Sequence, residues 1–170
     1  MVVDSVPLAE AAVRECLAAW FDQYNLAIFR YLVRLIGDEE QAADLLQETF
    51  TKALVALRTQ ALPNNPYAWL CRIAGNLVID MLRRKRRWSW LPFQTSTPSH
   101  EHAIATAQDV RDCLVRLNQR EAELLVMVHC VGLSPSEIAE LLSENVSTVR
   151  VRLHRARHRF RDLYTGESEL

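Results

Sequence analysis

The sequence predicts an all-α chain, built as two small helical domains joined by a flexible linker, on three observations. Apolar residues make up 49% of 170 residues and only four residues are glycine, which argues for a mostly helical chain. Apolar side chains recur at three- and four-residue spacing in the segments between breakers. The stretch WSWLPFQTSTPSHEHAIATAQ breaks that rhythm with two prolines and several Ser, Thr and His, and reads as a domain boundary. The expected units are residues 1–87, a linker at 88–108, and residues 109–170, a four-helix unit ending in a helix-turn-helix.

Taken in order, residues 8–36 read as a helix that could be interrupted near Asp22, with Leu17, Trp20, Phe21, Tyr24, Ile28, Tyr31, Leu32 and Leu35 at helical spacing. Gly37 stops it, and Asp38 caps the next helix with Gln41 at the reciprocal position. There Ala42, Leu45, Leu46, Phe50, Ala53, Leu54 and Leu57 form the inner stripe, while Asp44, Gln47 and Glu48 share the outer face. Composition alone does not distinguish a docking face from a merely solvated one. Asn65-Pro66 starts a third helix running to about Arg87. Its Trp69, Leu70, Ile73, Ala74, Leu77, Val78 and Met81 face the core, and Arg72, Asn76, Asp80 and Arg83 face outward. It ends in the basic run Arg83, Arg84, Lys85, Arg86 and Arg87. A helix dipole accounts for one or two of these cations, and a phosphate backbone accounts for the rest more easily.

Trp88, Trp90, Leu91 and Phe93 are unusual in a linker and are expected to pack back on the first domain, a partner contact being the alternative. In the second unit Val110, Cys113, Leu114 and Leu117 mark a short helix, and Asn118 with Glu121 caps the next, which runs to Val131 before Gly132. Ser134-Pro135-Ser136-Glu137 is a capping box with proline at the first helical position. After a break at Ser143-Glu144-Asn145-Val146, Ser147 offers a further N-cap. The last helix sets Val149, Leu153, Ala156, Phe160 and Leu163 inward, leaving Arg150, Val151, His154 and Arg155 outward. Arginines around a core stripe suit a helix in the DNA major groove, where they pair with guanine or hold phosphates.

The net charge of −1 conceals alternating blocks. Basic against acidic residues number 4 to 9 over residues 1–57, 7 to 1 over 58–87, 3 to 8 over 88–146, and 6 to 3 over 147–170. Two basic elements in different halves suggest two contacts with a polyanion. No apolar run reaches the length of a membrane span and no secretory leader is visible, so a cytoplasmic protein with no membrane insertion is expected. Cys16, Cys71, Cys113 and Cys130 lack CxxC spacing and read as buried free thiols. His100, His102, His129 and Cys130 are the only candidate metal ligands, and they lack zinc-site spacing. Nucleophile motifs and glycine-rich phosphate loops are absent, so neither an enzyme nor a cofactor is expected.

Three segments carry a resemblance. DLLQETF (Asp44 to Phe50), YAWLCRIAGNLVIDMLRRKRR (Tyr67 to Arg87) and LNQREAELLVMVHCVGLSPSEIAELLSENVSTVRVRLHRAR (Leu117 to Arg157) occur in the order and spacing of the extracytoplasmic-function sigma factors, and the chain resembles that family over most of its length. The resemblance implies a dissociable subunit of core RNA polymerase that directs promoter-specific initiation. It implies that Asp44, Gln47 and Glu48 dock on the beta-prime coiled coil, that the second unit meets the beta flap, and that the loop from Thr59 to Asn65 captures a flipped base. Asn64, Asn65, Trp69, Asn76, Arg83, Arg84, Lys85, Arg86 and Arg87 would then contact minus-ten promoter DNA, and Ser147, Thr148, Arg150, Val151, His154, Arg155 and Arg157 the minus-35 element. Family members are often restrained by an anti-sigma factor, which joins the expected partners, and the holoenzyme would place the chain on the nucleoid. Ser143 stands where the family usually has glycine; either the backbone there is left-handed, at a cost to serine of about 1 kcal/mol, or the turn differs. The competing reading is a free-standing helix-turn-helix regulator, which leaves the second basic cluster and the acidic face unexplained.

Overall fold

A computed structural model describes residues 10–88 and 101–167, with side chains described for 10–86 and 107–166. Seven α-helices occupy these residues: α1 (Glu10–Ile36), α2 (Glu39–Leu57), α3 (Pro66–Trp88), α4 (Glu101–Arg116), α5 (Gln119–Val126), α6 (Pro135–Leu142) and α7 (Val146–Glu167). A π-helical turn, Met127–Val131, follows α5 directly. Residues 101–108, read from sequence as linker, are helical. Trp90, Leu91, Phe93 and the side chain of Trp88 lie outside the described residues.

Helices α1, α2 and α3 pack mutually. Edge-on aromatic pairs join them, Trp20 against Trp69 at 6.2 Å and Phe21 against Phe50 at 5.0 Å. No break occurs at Asp22, and α1 runs unbroken. One polar residue on a helix costs far less than the packing on both sides returns. Phe21, placed by spacing with the core, is 43% exposed. It lies over Phe50 at the margin of the bundle.

The chain ends its helices with local chemistry. Gly37 at φ +77 closes α1, and the Arg111 guanidinium of α4 lies against it while its Nε donates to the Leu35 carbonyl at 2.8 Å. A cation thus meets the negative end of α1. Asn65 caps α3 by accepting from the Ala68 backbone N–H at 3.0 Å. Asn118 with Glu121 and Ser134 with Glu137 form complete capping boxes. Asn145, and not Ser147, caps α7: its Oδ1 accepts from the Ser147 N–H at 2.9 Å. The helix therefore starts at Val146, two residues earlier than the serine reading allowed.

At Asp38 the carboxylate accepts from the Gln41 backbone N–H at 3.0 Å, and the Gln41 amide donates to the same carboxylate at 2.5 Å instead of reaching back to the N-cap backbone. Asp38 is held below the ordinary carboxylate range, chiefly by the Gln41 backbone N–H. Glu137 is lowered likewise by its hydrogen bonds with Ser134. A depressed carboxyl stabilises the fold fully above its unfolded pKa, about 4, and loses that contribution as pH falls through the folded value. Asp38→Asn keeps a capping oxygen but removes the titration. Its acid-unfolding profile should be flatter below about pH 4 than that of the wild type.

Ser143 ends α6 in the left-handed region, at φ 53 and ψ 40, the only non-glycine with positive φ among the described residues. The Glu144 N–H closes back on the Ala139 carbonyl at 2.9 Å, which requires that conformation. Ser143→Gly is expected to relieve about 1 kcal/mol of strain and to raise the melting temperature by about 2–4 °C, measured by thermal circular dichroism.

The second group of helices centres on α5, α7 and α4, with α6 against α7. The two halves are also in contact, because α3 packs against α4, α5 and the π-turn. Buried side chains of both halves, from Ile28, Leu32 and Leu70 to Val126, Met127 and Val149, form one continuous apolar cluster.

Candidate nucleic-acid interface

Helix α2 turns Asp44, Gln47 and Glu48 to solvent, as its inner stripe of Ala42, Leu45, Phe50 and Ala53 requires. Glu48 pairs with Lys52 one turn on at 3.7 Å, both side chains about half exposed. Such a pair is worth well under 1 kcal/mol. Val55, 60% exposed, continues the ridge. An acidic strip leading onto an uncovered valine is a surface available to a partner.

Some side chains of the loop before α3 and of the outward face of α3 bond to the second half. Asn64 donates to Glu140 of α6 at 3.1 Å. Asn65 spends its side-chain oxygen on the α3 cap. Trp69 is half-buried against Trp20 and lines a cavity of about 340 Å³ shared by the loop, Arg72 and the α6 residues Glu137, Glu140 and Leu141. Arg72, Asn76 and Arg83, expected to face solvent, are half-buried under α5. The Arg72 Nε donates to Glu123 at 2.6 Å, and the Asn76 amide donates to the same oxygen at 3.3 Å. Gln119 donates to the Asn76 oxygen at 3.1 Å, while Arg83 donates to the Gln119 side chain and, at 2.9 Å, to the Leu117 carbonyl. Spacing could not show this, because the covering helix lies in the other half of the chain.

The basic run therefore divides. Arg84, Lys85 and Arg86 are exposed, with Lys85 reaching Gln41 near the α2 cap. Arg83 folds inward, and the Arg87 side chain lies outside the described residues.

Helix α7 also divides its arginines. Arg152 grips Glu144 at 2.5–2.6 Å with both groups about one third exposed, and Arg159 reaches Glu121 at 3.2 Å. Arg152 holds the turn before α7 through Glu144, and Arg159 reaches from α7 to α5. The inner stripe of Val149, Leu153 and Ala156 is buried. Ser147, Thr148, Arg150, Val151, His154, Arg155 and Arg157 are all exposed, with Val151 at 51%. The face thus combines cationic donors with an apolar contact, the pairing that guanine edges and thymine methyls require. His158 was missed: its ring lies 4.4 Å from that of His154 one turn on, and its Nδ1 accepts from Arg161 at 2.7 Å.

No disulfide joins the four cysteines; Cys71 and Cys113 are buried and Cys16 and Cys130 half-buried. Burial pushes the Cys71 thiol up to about 11, which keeps it protonated and unreactive. Among the described residues no cluster of three or more His, Cys, Asp and Glu could hold a metal, and no helix is long and apolar enough to cross a membrane.

Residues 20–88 match the family model for Sigma-70 region 2, and residues 107–160 that for Sigma-70, region 4. The chain is 32% identical to the ECF RNA polymerase sigma factor SigL of Mycobacterium tuberculosis, over 91% of this chain and 90% of that protein. It is 31% identical to the ECF RNA polymerase sigma factor SigE of Mycolicibacterium smegmatis, covering 86% of this chain and 60% of that longer relative. Among solved structures, CnrH in complex with the cytosolic domain of CnrY aligns with a TM-score of 0.57 at 25% identity, over 92% of this chain and 95% of that one. The sigma factor RpoE of Bartonella quintana, solved in complex with the anti-sigma factor NepR, shares the fold with a TM-score of 0.53 at 22% identity, over 89% of this chain and 98% of that one.

Proposed function

The chain belongs to the sigma-70 family, among its extracytoplasmic-function sigma factors, and from that membership we propose that it binds core RNA polymerase and directs promoter-specific initiation through two DNA-reading ends. The observation that carries this reading is the sorting on α7: the fold uses Arg152 and Arg159 for itself and leaves Arg150, Val151, His154 and Arg155 on one open face. In this role that face reads the minus-35 element, with Ser147, Thr148 and Arg157 on the flanking backbone.

The first unit, residues 1–87, carries the minus-ten contacts on Asn64, Trp69, Asn76 and the run from Arg83 to Arg87, with Asn65 serving mainly as the cap of α3. Asp44, Gln47 and Glu48 dock on the beta-prime coiled coil, and the second unit, residues 109–170, meets the beta flap. Residues 88–108 connect them. The chain makes no bonds itself; phosphoryl transfer belongs to the polymerase. It works in the cytoplasm, on the nucleoid when in holoenzyme, and an anti-sigma factor is its proposed restraining partner.

Run-off transcription with core enzyme on a promoter library tests this reading. Defined start sites that appear only when the protein is added support it. Tight promoter binding by the protein alone, with no association with core, would favour the free-standing regulator and sink the proposal.

A further inference from the structure

The outward face of α7 continues past the residues proposed above as base contacts. The helix has 22 residues, about 33 Å of axis, and the region 4 match stops inside it, at residue 160. A recognition helix sets its N-terminal residues on the base edges, so distance along its axis carries later residues away from them. Arg155 lies about 7.5 Å along from Arg150, His158 about 12 Å and Arg161 about 16.5 Å. The major groove is about 12 Å wide. Residues 150–155 thus fit between its walls, while His158 and Arg161 come level with a wall, which is a row of phosphates.

These later residues keep the same side of the helix. At 3.6 residues per turn, Arg150, His154, His158 and Arg161 fall within about 80° of one another, away from the buried stripe of Val149, Leu153 and Ala156. All four are exposed. The His154 and His158 rings lie 4.4 Å apart, and the Arg161 Nη2 lies 2.7 Å from the His158 Nδ1. A guanidinium can only donate. The His158 Nδ1 therefore accepts, and the proton of the ring sits on Nε2. Among the described residues that N–H meets no acceptor and Arg161 meets no carboxylate, whereas Arg152 and Arg159 are spent on Glu144 and Glu121. One fixed neutral donor beside an uncommitted cationic fork complements an anionic pair of acceptor oxygens, which a phosphate supplies.

We infer that His158 and Arg161 form a phosphate clamp, which seats α7 on the wall of the major groove and sets the register of Arg150, Val151, His154 and Arg155 on the bases without reading sequence itself. The inference rests on the minus-35 role proposed above and extends that surface past Arg157.

Holoenzyme made with the full-length chain tests the clamp, on promoter duplexes in which one minus-35 phosphate at a time is replaced by an uncharged methylphosphonate. The wild type should lose affinity by about five- to tenfold at one or two adjacent phosphates beside the bases read by Arg150 and Arg155. Arg161→Ala should lose as much on natural DNA, lose nothing further at those phosphates, and lower the slope of log affinity against log salt by about 0.9. His158→Ala should cost about threefold, and His158→Gln, which keeps a neutral N–H donor, should recover most of that loss. Thermal melts verify that each variant folds. Preference for the cognate minus-35 bases should be the same in Arg161→Ala as in the wild type, as a phosphate contact requires; loss of that preference would make Arg161 a base reader and overturn the clamp. Wild-type affinity in both Arg161→Ala and His158→Ala, alongside weakened binding by the Arg150→Ala, Arg155→Ala double variant, would also overturn it and leave the promoter role standing. Promoter affinity indifferent to all four substitutions would overturn the minus-35 role, and the clamp with it.

Discussion

Replacing Arg150 and Arg155 together by alanine is expected to lower transcription from the cognate promoter by about a hundredfold, since each bidentate base contact is worth about 1–3 kcal/mol. Affinity for core polymerase should not change, because the acidic ridge on α2 is untouched. Both arginines are exposed on the open side of α7, so their removal leaves Val149, Leu153 and Ala156 packed and the melting temperature close to that of the wild type. Arg152→Ala provides the contrast. That side chain holds Glu144 at 2.5–2.6 Å in a half-buried pair, so its loss should show first in stability. Run-off assays over a salt series, paired with thermal melts, separate the two effects. Equal loss of core binding and promoter activity in the Arg150/Arg155 variant would contradict the assignment of this face to DNA.

Charge reversal at Asp44 and Glu48, as Asp44→Lys with Glu48→Lys, should do the opposite. Both carboxylates are exposed, and the Glu48–Lys52 pair contributes little to folding, so α2 should survive the change. Affinity for core polymerase should fall by about tenfold or more, because like charges facing each other across a contact cost several kcal/mol at low salt. The deficit should shrink as ionic strength rises and the Debye length contracts. Binding of residues 107–167 to minus-35 DNA should be unaffected. Co-purification at two salt concentrations checks the first point and a mobility shift the second. Undiminished core binding would move the docking surface away from this ridge.

What the sequence disclosed, and what it withheld, follows the range of the interactions. Helix ends are set by side chains within three or four residues, so Asp38, Asn65, Asn118, Ser134, Gly37 and Gly132 were all legible. The error at Ser147 was of the same kind: Asn145 and Ser147 both offer a capping oxygen, and only the path of the turn selects Asn145. The outward residues of α7 were legible because the inner stripe is regular. The fates of Arg72, Asn76 and Arg83 were not, since periodicity shows which face leaves its own helix but not what lies above it. One hint was present. The basic block at 58–87 and the acidic block at 88–146 are complementary, and opposite charges on one chain can satisfy each other as well as an outside polyanion. Arg72 with Glu123 shows one place where they do.

The π-helical turn at Met127–Val131 carries a consequence for how the outward arginine face of α7 is aimed. The Gly132 N–H returns to the Met127 carbonyl, five residues back, so this turn holds one residue more than an α-helical turn would. One residue of helix amounts to about 100° of rotation and 1.5 Å of rise. Everything after Gly132, including α6 and α7, therefore leaves the core at an azimuth fixed by a single surplus residue. Deleting one residue there would let the segment continue as ordinary α-helix and swing the arginine face of α7 around the axis of α5. The contacts within α6 and α7 would be kept, yet the spacing between the two ends of a promoter that the protein can span would change.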